Sequence, residues 1–239
     1  MPALRYKAVF FDLDDTLFDH RAHRREALAA LRAAVRLNGD VAASLEAAHE
    51  RHLQRTHGLL LAGAITLEQA RLERLRGALA DHGLEVDDER LASLEAVYRS
   101  AYDRHWRSVP GSVELLDALK RAGAWVAVVT NGRKNDQLAK LQRLGLLPRV
   151  DDVLISEELG CEKPSLEFFA LAAKRARCQA CECVMVGDLW NTDIVGATAS
   201  GMSAVWLNRY QRDPQANAAA TEIRSFQPLE SVLEHFLQP

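Results

Sequence analysis

Asp12 and Asp14 stand two residues apart directly after Val9-Phe10-Phe11, a β-branched and aromatic run of the kind that forms a buried strand. Side chains two apart on an extended chain share a face, separated by roughly 6.5 to 7 Å. Both acids therefore project from one side just past the strand's end, with Leu13 opposite and Asp15 turned away. Two carboxylates so placed ionise together only at a cost, unless a cation lies between them or one keeps its proton. Either outcome is useful chemistry, and a purely structural strand has no such need. The bland alternative is an acidic turn in which Asp15 opens the next helix.

Other polar clusters also follow apolar runs. Thr130-Asn131-Gly132 follows Trp125–Val129, Lys163-Pro164 lies in the loop after Val153–Ile155, and Gly187-Asp188 follows Cys183–Val186, with Asp193 five residues beyond Asp188. Singly, each is an ordinary turn or helix start. Together, in this order and each after a strand-like run, they describe one site assembled from several strand ends.

The elements that must position them read as strands alternating with helices: helices over 115–122, 135–144, 167–175, 194–200 and 229–237, with further strands over 204–207 and near Ile223. Such alternation predicts an α/β fold, a doubly wound parallel sheet (Rossmann-like) with helices on both faces. Ligands on such a sheet sit beyond the carboxyl ends of the strands. Residues 18–107 break the alternation with helix-spaced apolar residues (Leu28, Leu31, Val35; Leu72, Leu75, Leu79; Leu91, Leu94, Tyr98) that fit four helices. Asn38-Gly39, Gly63 and Gly83 punctuate them, and Thr66 with Gln69 forms a capping box. The expected division is therefore a core of 1–17 and 108–239 and a helical insertion of 18–107. The histidines of the insertion, His23, His49, His52 and His57, read as part of a solvated face. A polar, Ala-rich loop is expected over 214–221.

Composition sets limits. The 239 residues are 48% hydrophobic and carry a formal net charge of −3, enough for a sizeable core and no global attraction to nucleic acid or acidic membrane. No apolar stretch has the length of a signal peptide or a bilayer span, so the expectation is a cytoplasmic protein with no membrane or nucleic-acid partner, a monomer or weak homodimer. Cys178, Cys181 and Cys183 lack a nearby fourth ligand and read as reduced thiols rather than a zinc site.

At DLDDT (12–16), TNG (130–132), EKP (162–164) and GDLWNTD (187–193) the chain resembles the haloacid dehalogenase-like hydrolase superfamily, and the resemblance spans essentially its whole length. LAGAIT (61–66), LISEELGCEKP (154–164) and VWLN (205–208) are similar to the pyrimidine 5′-nucleotidase branch. The resemblance implies a core carrying the helical insertion as a cap, and a Mg²⁺-dependent phosphomonoesterase acting on a small phosphorylated metabolite such as a nucleoside 5′-monophosphate. By the same resemblance Asp12 is the nucleophile that forms an aspartyl-phosphate and Asp14 the general acid-base. Thr130, Asn131 and Lys163 bind the phosphoryl group. Mg²⁺ is held by Asp12, the main-chain carbonyl of Asp14 and Asp188, while Asp193 supports the metal site and Thr16 orients Asp14. The alternatives are a phosphatase of phosphoglycolate or a sugar phosphate, a phosphomutase, and a non-catalytic binding module. The chain departs from the pattern at Asp15, where many members have Gly, a change that is tolerable if that backbone keeps φ below zero. It departs again at Leu189-Trp190, where small polar residues are frequent. Phe18, Trp106 and Trp190 are the aromatics expected near the mouth of the site.

Overall fold

The computed structural model describes residues 3–104, 106–213 and 219–238, apart from the side chains of His57 and Leu61. Its chain divides into two units, Met1–Asp19 with Arg107–Pro239, and His20–Trp106. Of the loop expected over 214–221, residues 219–221 are described, while 214–218 lie outside the described residues. No helix among the described residues is long and apolar enough to cross a membrane.

The first unit begins with β1 (Ala8–Phe11), and the helices of the second unit follow it in sequence: α1 (His20–Ala34), α2 (Ala42–Leu61), α3 (Leu67–Ala80) and α4 (Asp88–Arg104). The first unit then resumes with α5 (Ser112–Arg121), β2 (Trp125–Thr130), α6 (Lys134–Arg143), β3 (Asp152–Ile155), α7 (Ser156–Leu159) and α8 (Leu166–Ala176). It ends with β4 (Cys183–Gly187), α9 (Val195–Ala199), β5 (Ser203–Leu207), β6 (Thr221–Ile223) and α10 (Leu229–Leu233). The sheet is parallel throughout, in the order β3-β2-β1-β4-β5-β6. This is the α/β, Rossmann-like architecture expected from the alternation of elements.

Strand order reverses on either side of β1, which pairs with β2 and with β4, and a crevice opens at such a switch point. The central strands read as apolar runs because both faces are covered. Phe10, Ala127, Val129, Met185 and Trp206 pack with Phe168 and Phe169 of α8 on one side. Phe11 meets Phe226 edge-on from the other. Three short features had no periodic signal: α7, a last helix that stops at Leu233, and one wide π turn over Trp190–Ile194.

In the second unit α1 lies against α4 and α2 against α3. Leu28, Leu31, Leu75, Leu79, Leu91 and Leu94 are buried at the expected helical spacing, and the Thr66–Gln69 capping box closes the start of α3. The histidines correct the expectation of a uniformly solvated face. His23 and His49 are buried, because aromatic neighbours on α4 give their rings apolar surface: His23 meets Tyr102 edge-on and His49 stacks on Tyr98 with centroids 5.4 Å apart. His52 keeps a solvated partner, its Nε2 lying 3.1 Å from Asp81. The side chain of His57 lies outside the described residues.

Burial pushes the His49 imidazole from its ordinary value down to about 3, and the charges of Arg24, Arg74, His20 and His52 act the same way. A neutral buried histidine contributes its full stability above the unfolded value of about 6.5 and loses it as pH falls toward the folded value. His49→Phe retains a ring against Tyr98 without a titrating group. Its unfolding free energy in urea should therefore decline less steeply between about pH 7 and pH 4 than that of the native sequence, and equal slopes would assign the acid loss to other groups.

Candidate active site

Asp12, Asp14, Thr130, Asn131 and Asp188 sit at or just beyond the carboxyl end of a strand, while Lys163 follows α7 and Asp193 lies in the turn after Asp188. Asp12 follows β1, and its N–H donates to the Val186 carbonyl at 2.9 Å, locking it beside β4. Beyond it the chain turns sharply, with the N–H groups of Leu17 and Phe18 both donating to the Leu13 carbonyl. Within that turn Asp15 adopts φ 61°, so the condition of a negative φ is not met. Aspartate is among the few side chains that tolerate the left-handed region, which explains how this position does without glycine.

The centre of the site is the ammonium of Lys163, which donates to Asp12 Oδ1 and to Asp193 Oδ1, both at 2.7 Å. All three side chains are buried. Burial by itself would lower the Lys163 pKa, but the two carboxylates outweigh it and hold the group above its ordinary value. Asp12 moves up as well, driven first by burial and opposed by Lys163. The lysine is aimed by Asn131, whose amide accepts from the Lys163 N–H and donates to the Lys163 carbonyl, both at 2.9 Å. The Asn131 side chain is thus committed to the Lys163 loop, leaving its main chain for a ligand.

Asp193 is delivered by the π turn over Trp190–Ile194, a wide turn often found at functional sites. Its second oxygen accepts from the Leu189 N–H at 3.0 Å. A Cβ at position 187 would lie 2.3 Å from Asp193 Oδ2, so the end of β4 approaches this carboxylate more closely than any side chain but glycine allows. Trp190 meets Trp206 edge-on at 4.8 Å and packs against the core, and the Trp206 indole donates to the Asp188 carbonyl at 3.0 Å. Phe18 is wholly buried.

Asp12, Asp188 and Asp193 bring carboxylate oxygens within 4.8 Å of one another. Asp188 Oδ1 is buried and finds no hydrogen-bond partner among the described residues, while Oδ2 lies 3.5 Å from Arg212. Burial, with the charges of Asp12, Asp193 and Asp15, raises the Asp188 pKa well above the ordinary value, and Arg212 opposes this. Three buried carboxylates against one buried ammonium leave negative charge uncompensated, and an unpartnered carboxylate oxygen faces a set of hard oxygen donors. These residues fit a hard divalent cation such as Mg²⁺. Because both Asp193 oxygens already accept hydrogen bonds, Asp12 and Asp188 have the freer oxygens.

Asp14 has partners that sequence reading missed. Its two oxygens accept from Lys140 Nζ at 2.7 and 2.8 Å, and one also accepts from Gln137 Nε2 at 3.2 Å. The same Gln137 amide donates to the Thr130 hydroxyl at 2.6 Å. The available signal was the i,i+3 spacing of Gln137 and Lys140 on the helix that follows the Thr130 loop. The Thr16 hydroxyl is buried with no hydrogen-bond partner among the described residues, so in this conformation Asp14 is oriented from α6 rather than by Thr16.

Comparison with known proteins agrees with this geometry. The haloacid dehalogenase-like hydrolase family model matches residues 6–201. The chain is 37% identical over 220 residues, 90% of its length and 88% of the relative's, to a ribulose-1,5-bisphosphate 5-phosphatase of Halopiger xanaduensis. It is 34% identical to a glyceraldehyde 3-phosphate phosphatase of Methanothermobacter thermautotrophicus, covering 84% of this chain and 85% of that one. With the pyrimidine 5′-nucleotidase YjjG of Escherichia coli it shares 35% identity over 52% of this chain and 56% of that one. The protein belongs to the haloacid dehalogenase-like hydrolases, and among them it is a phosphoric monoester hydrolase.

Proposed function

We propose that the protein hydrolyses the phosphate ester of a primary alcohol at the end of a small sugar or sugar-like carbon chain, with Mg²⁺, through an aspartyl-phosphate on Asp12. The observation that carries this reading is the buried group of Asp12, Asp188 and Asp193, two of which, Asp12 and Asp193, hold the Lys163 ammonium. Asp12 attacks phosphorus in line, forming the acyl phosphate as the ester P–O bond breaks, and Asp14 gives its proton to the departing alkoxide. Asp14 then takes a proton from water as that water attacks phosphorus, and the bond to Asp12 breaks to release phosphate. Lys163 offsets the charge of the transferring group, while the Thr130 hydroxyl and the Asn131 main chain orient its oxygens. Mg²⁺ held by Asp12, Asp188 and the Asp14 carbonyl would supply Lewis-acid charge compensation between nucleophile and phosphate.

The substrate class rests on what the relatives' names have in common. Ribulose 1,5-bisphosphate at its 5-position, glyceraldehyde 3-phosphate and nucleoside 5′-monophosphates all carry phosphate on a terminal CH₂ beside a tetrahedral carbon that bears a hydroxyl or ether oxygen. Sugar phosphates come first because those two relatives match over most of the chain. Base stacking has less support, with Phe18 buried and Trp190 engaged by Trp206. Pyrimidine nucleotides are the second reading, favoured by the similarity to YjjG. In either case, selection among leaving groups falls to the helical segment 18–107 acting as a cap, since the core residues meet only the phosphoryl group.

Asp12→Asn should fold normally by circular dichroism and lose phosphate release by on the order of 10³-fold or more. Undiminished turnover would remove Asp12 as nucleophile. Asp188→Ala should raise the Mg²⁺ concentration for half-maximal activity by roughly tenfold or more, and a chelator should silence the native enzyme reversibly.

For the substrate, kcat/KM should be compared under identical Mg²⁺ for ribulose 1,5-bisphosphate, glyceraldehyde 3-phosphate, dUMP, dTMP and phosphoglycolate. A preference for the first two by more than about tenfold, or ~1.4 kcal/mol, supports the sugar-phosphate reading. The same margin for dUMP or dTMP selects the nucleotidase reading, and a preference for phosphoglycolate overturns both.

A further inference from the structure

Lys140 projects from α6 into the neighbourhood of β1 and is only 13% exposed along its side chain. Its ammonium donates to both oxygens of Asp14 and to the side-chain amide oxygen Oε1 of Gln137, each at 2.7 or 2.8 Å, and lies 5.5 Å from the centroid of the Phe18 ring. Gln137, one turn earlier, is almost wholly buried and ties Asp14 to the Thr130 hydroxyl and the Asn131 carbonyl. An exposed ion pair contributes little and imposes little geometry. This one differs because the ammonium is largely desolvated, grips both carboxylate oxygens and has its own position set by an amide and an aromatic face.

We infer that Lys140 is a positioning residue of the reaction: from α6 it holds the Asp14 carboxyl in the orientation from which a proton reaches the leaving oxygen. The inference rests on the acid-base role proposed for Asp14 and adds the group that aims it. Lys140 does not touch the transferring phosphoryl group in this reading. Its contribution is angular, and misplacing an acid by about 1 Å is enough to cost on the order of 10²-fold in rate. The Gln137 bridge couples the same helix to the Thr130 hydroxyl, so one element sets the acid and the phosphate-binding hydroxyl in register.

A positioning role predicts selectivity by leaving group. Phosphoryl transfer to Asp12 from an alkyl ester needs a proton on the departing oxygen, whereas 4-nitrophenyl phosphate releases a stabilised phenolate that needs none. The ratio kcat/KM reports the steps through formation of the aspartyl-phosphate, so it isolates this requirement. Lys140→Met, which keeps an apolar stem over Phe18, should lower kcat/KM for an alkyl ester such as ribose 5-phosphate by roughly 10- to 100-fold. For 4-nitrophenyl phosphate the change should stay within about threefold, and Lys140→Arg should recover most of the loss. Lys140→Gln serves as a second variant should the methionine protein fold poorly. Equal losses on both esters, or none, overturn the inference. Asp14→Asn is the control that separates the two claims. If it lacks the same selectivity the acid-base reading of Asp14 fails, and if it shows the selectivity while the Lys140 variants do not, only the positioning role fails.

Discussion

The site depends on a buried ammonium shared by two carboxylates. Taking Lys163, Asp12 and Asp193 out of water costs several kcal/mol per ion, repaid only when geometry is tight and the remaining polar atoms are satisfied. The structure meets those terms one residue at a time. Asn131 grips the Lys163 main chain from both sides, the π turn brings Asp193 to the ammonium, and Gly187 leaves room for that carboxylate. The Val186 carbonyl fixes Asp12 through its N–H. Each motif exists to complete the surroundings of one cation, which is why the motifs come from four separate strand ends.

A second lysine resolves the pairing problem posed by the Asp12-Leu13-Asp14 spacing. The two acids were expected either to share a cation or to keep a proton between them. Each has its own ammonium from its own element, Lys163 for Asp12 and Lys140 for Asp14, so neither has to share a cation with the other. The first is sandwiched by acids and the second by an acid, an amide and a ring. Separate partners would allow the neighbouring carboxylates to take the two different parts that the proposed reaction gives them, without competing for the same charge.

The sheet, its strands and the order of the site loops were legible because apolar runs of strand length alternate with helix-spaced ones, and because Asp12, Thr130 and Asp188 stand where such a run ends while Lys163 lies in the connection that follows one. The Thr66–Gln69 box and the positions of α1 to α4 were legible for the same local reasons. Lys140 and Gln137 were hidden because a polar residue on a helix reads as surface. Only the tertiary fold reveals that this face of α6 turns toward Asp14. His23 and His49 misled in the same way, since periodicity records apolar residues and not the tyrosines that let an imidazole be buried.

Asp15 and the π turn show a different limit, in backbone rather than side chains. A left-handed residue at position 15 and an extra residue in the turn at 190–194 have no periodic signature, yet both set where a carboxylate points. The two departures from the family pattern fall at these places. Asp15 replaces glycine with one of the few side chains that tolerate positive φ. Trp190 puts an indole against Trp206, whose own indole holds the Asp188 carbonyl. A bulky residue two positions beyond Asp188 is tolerated because it packs against Trp206 and the core, so it braces the indole that holds the main chain of Asp188.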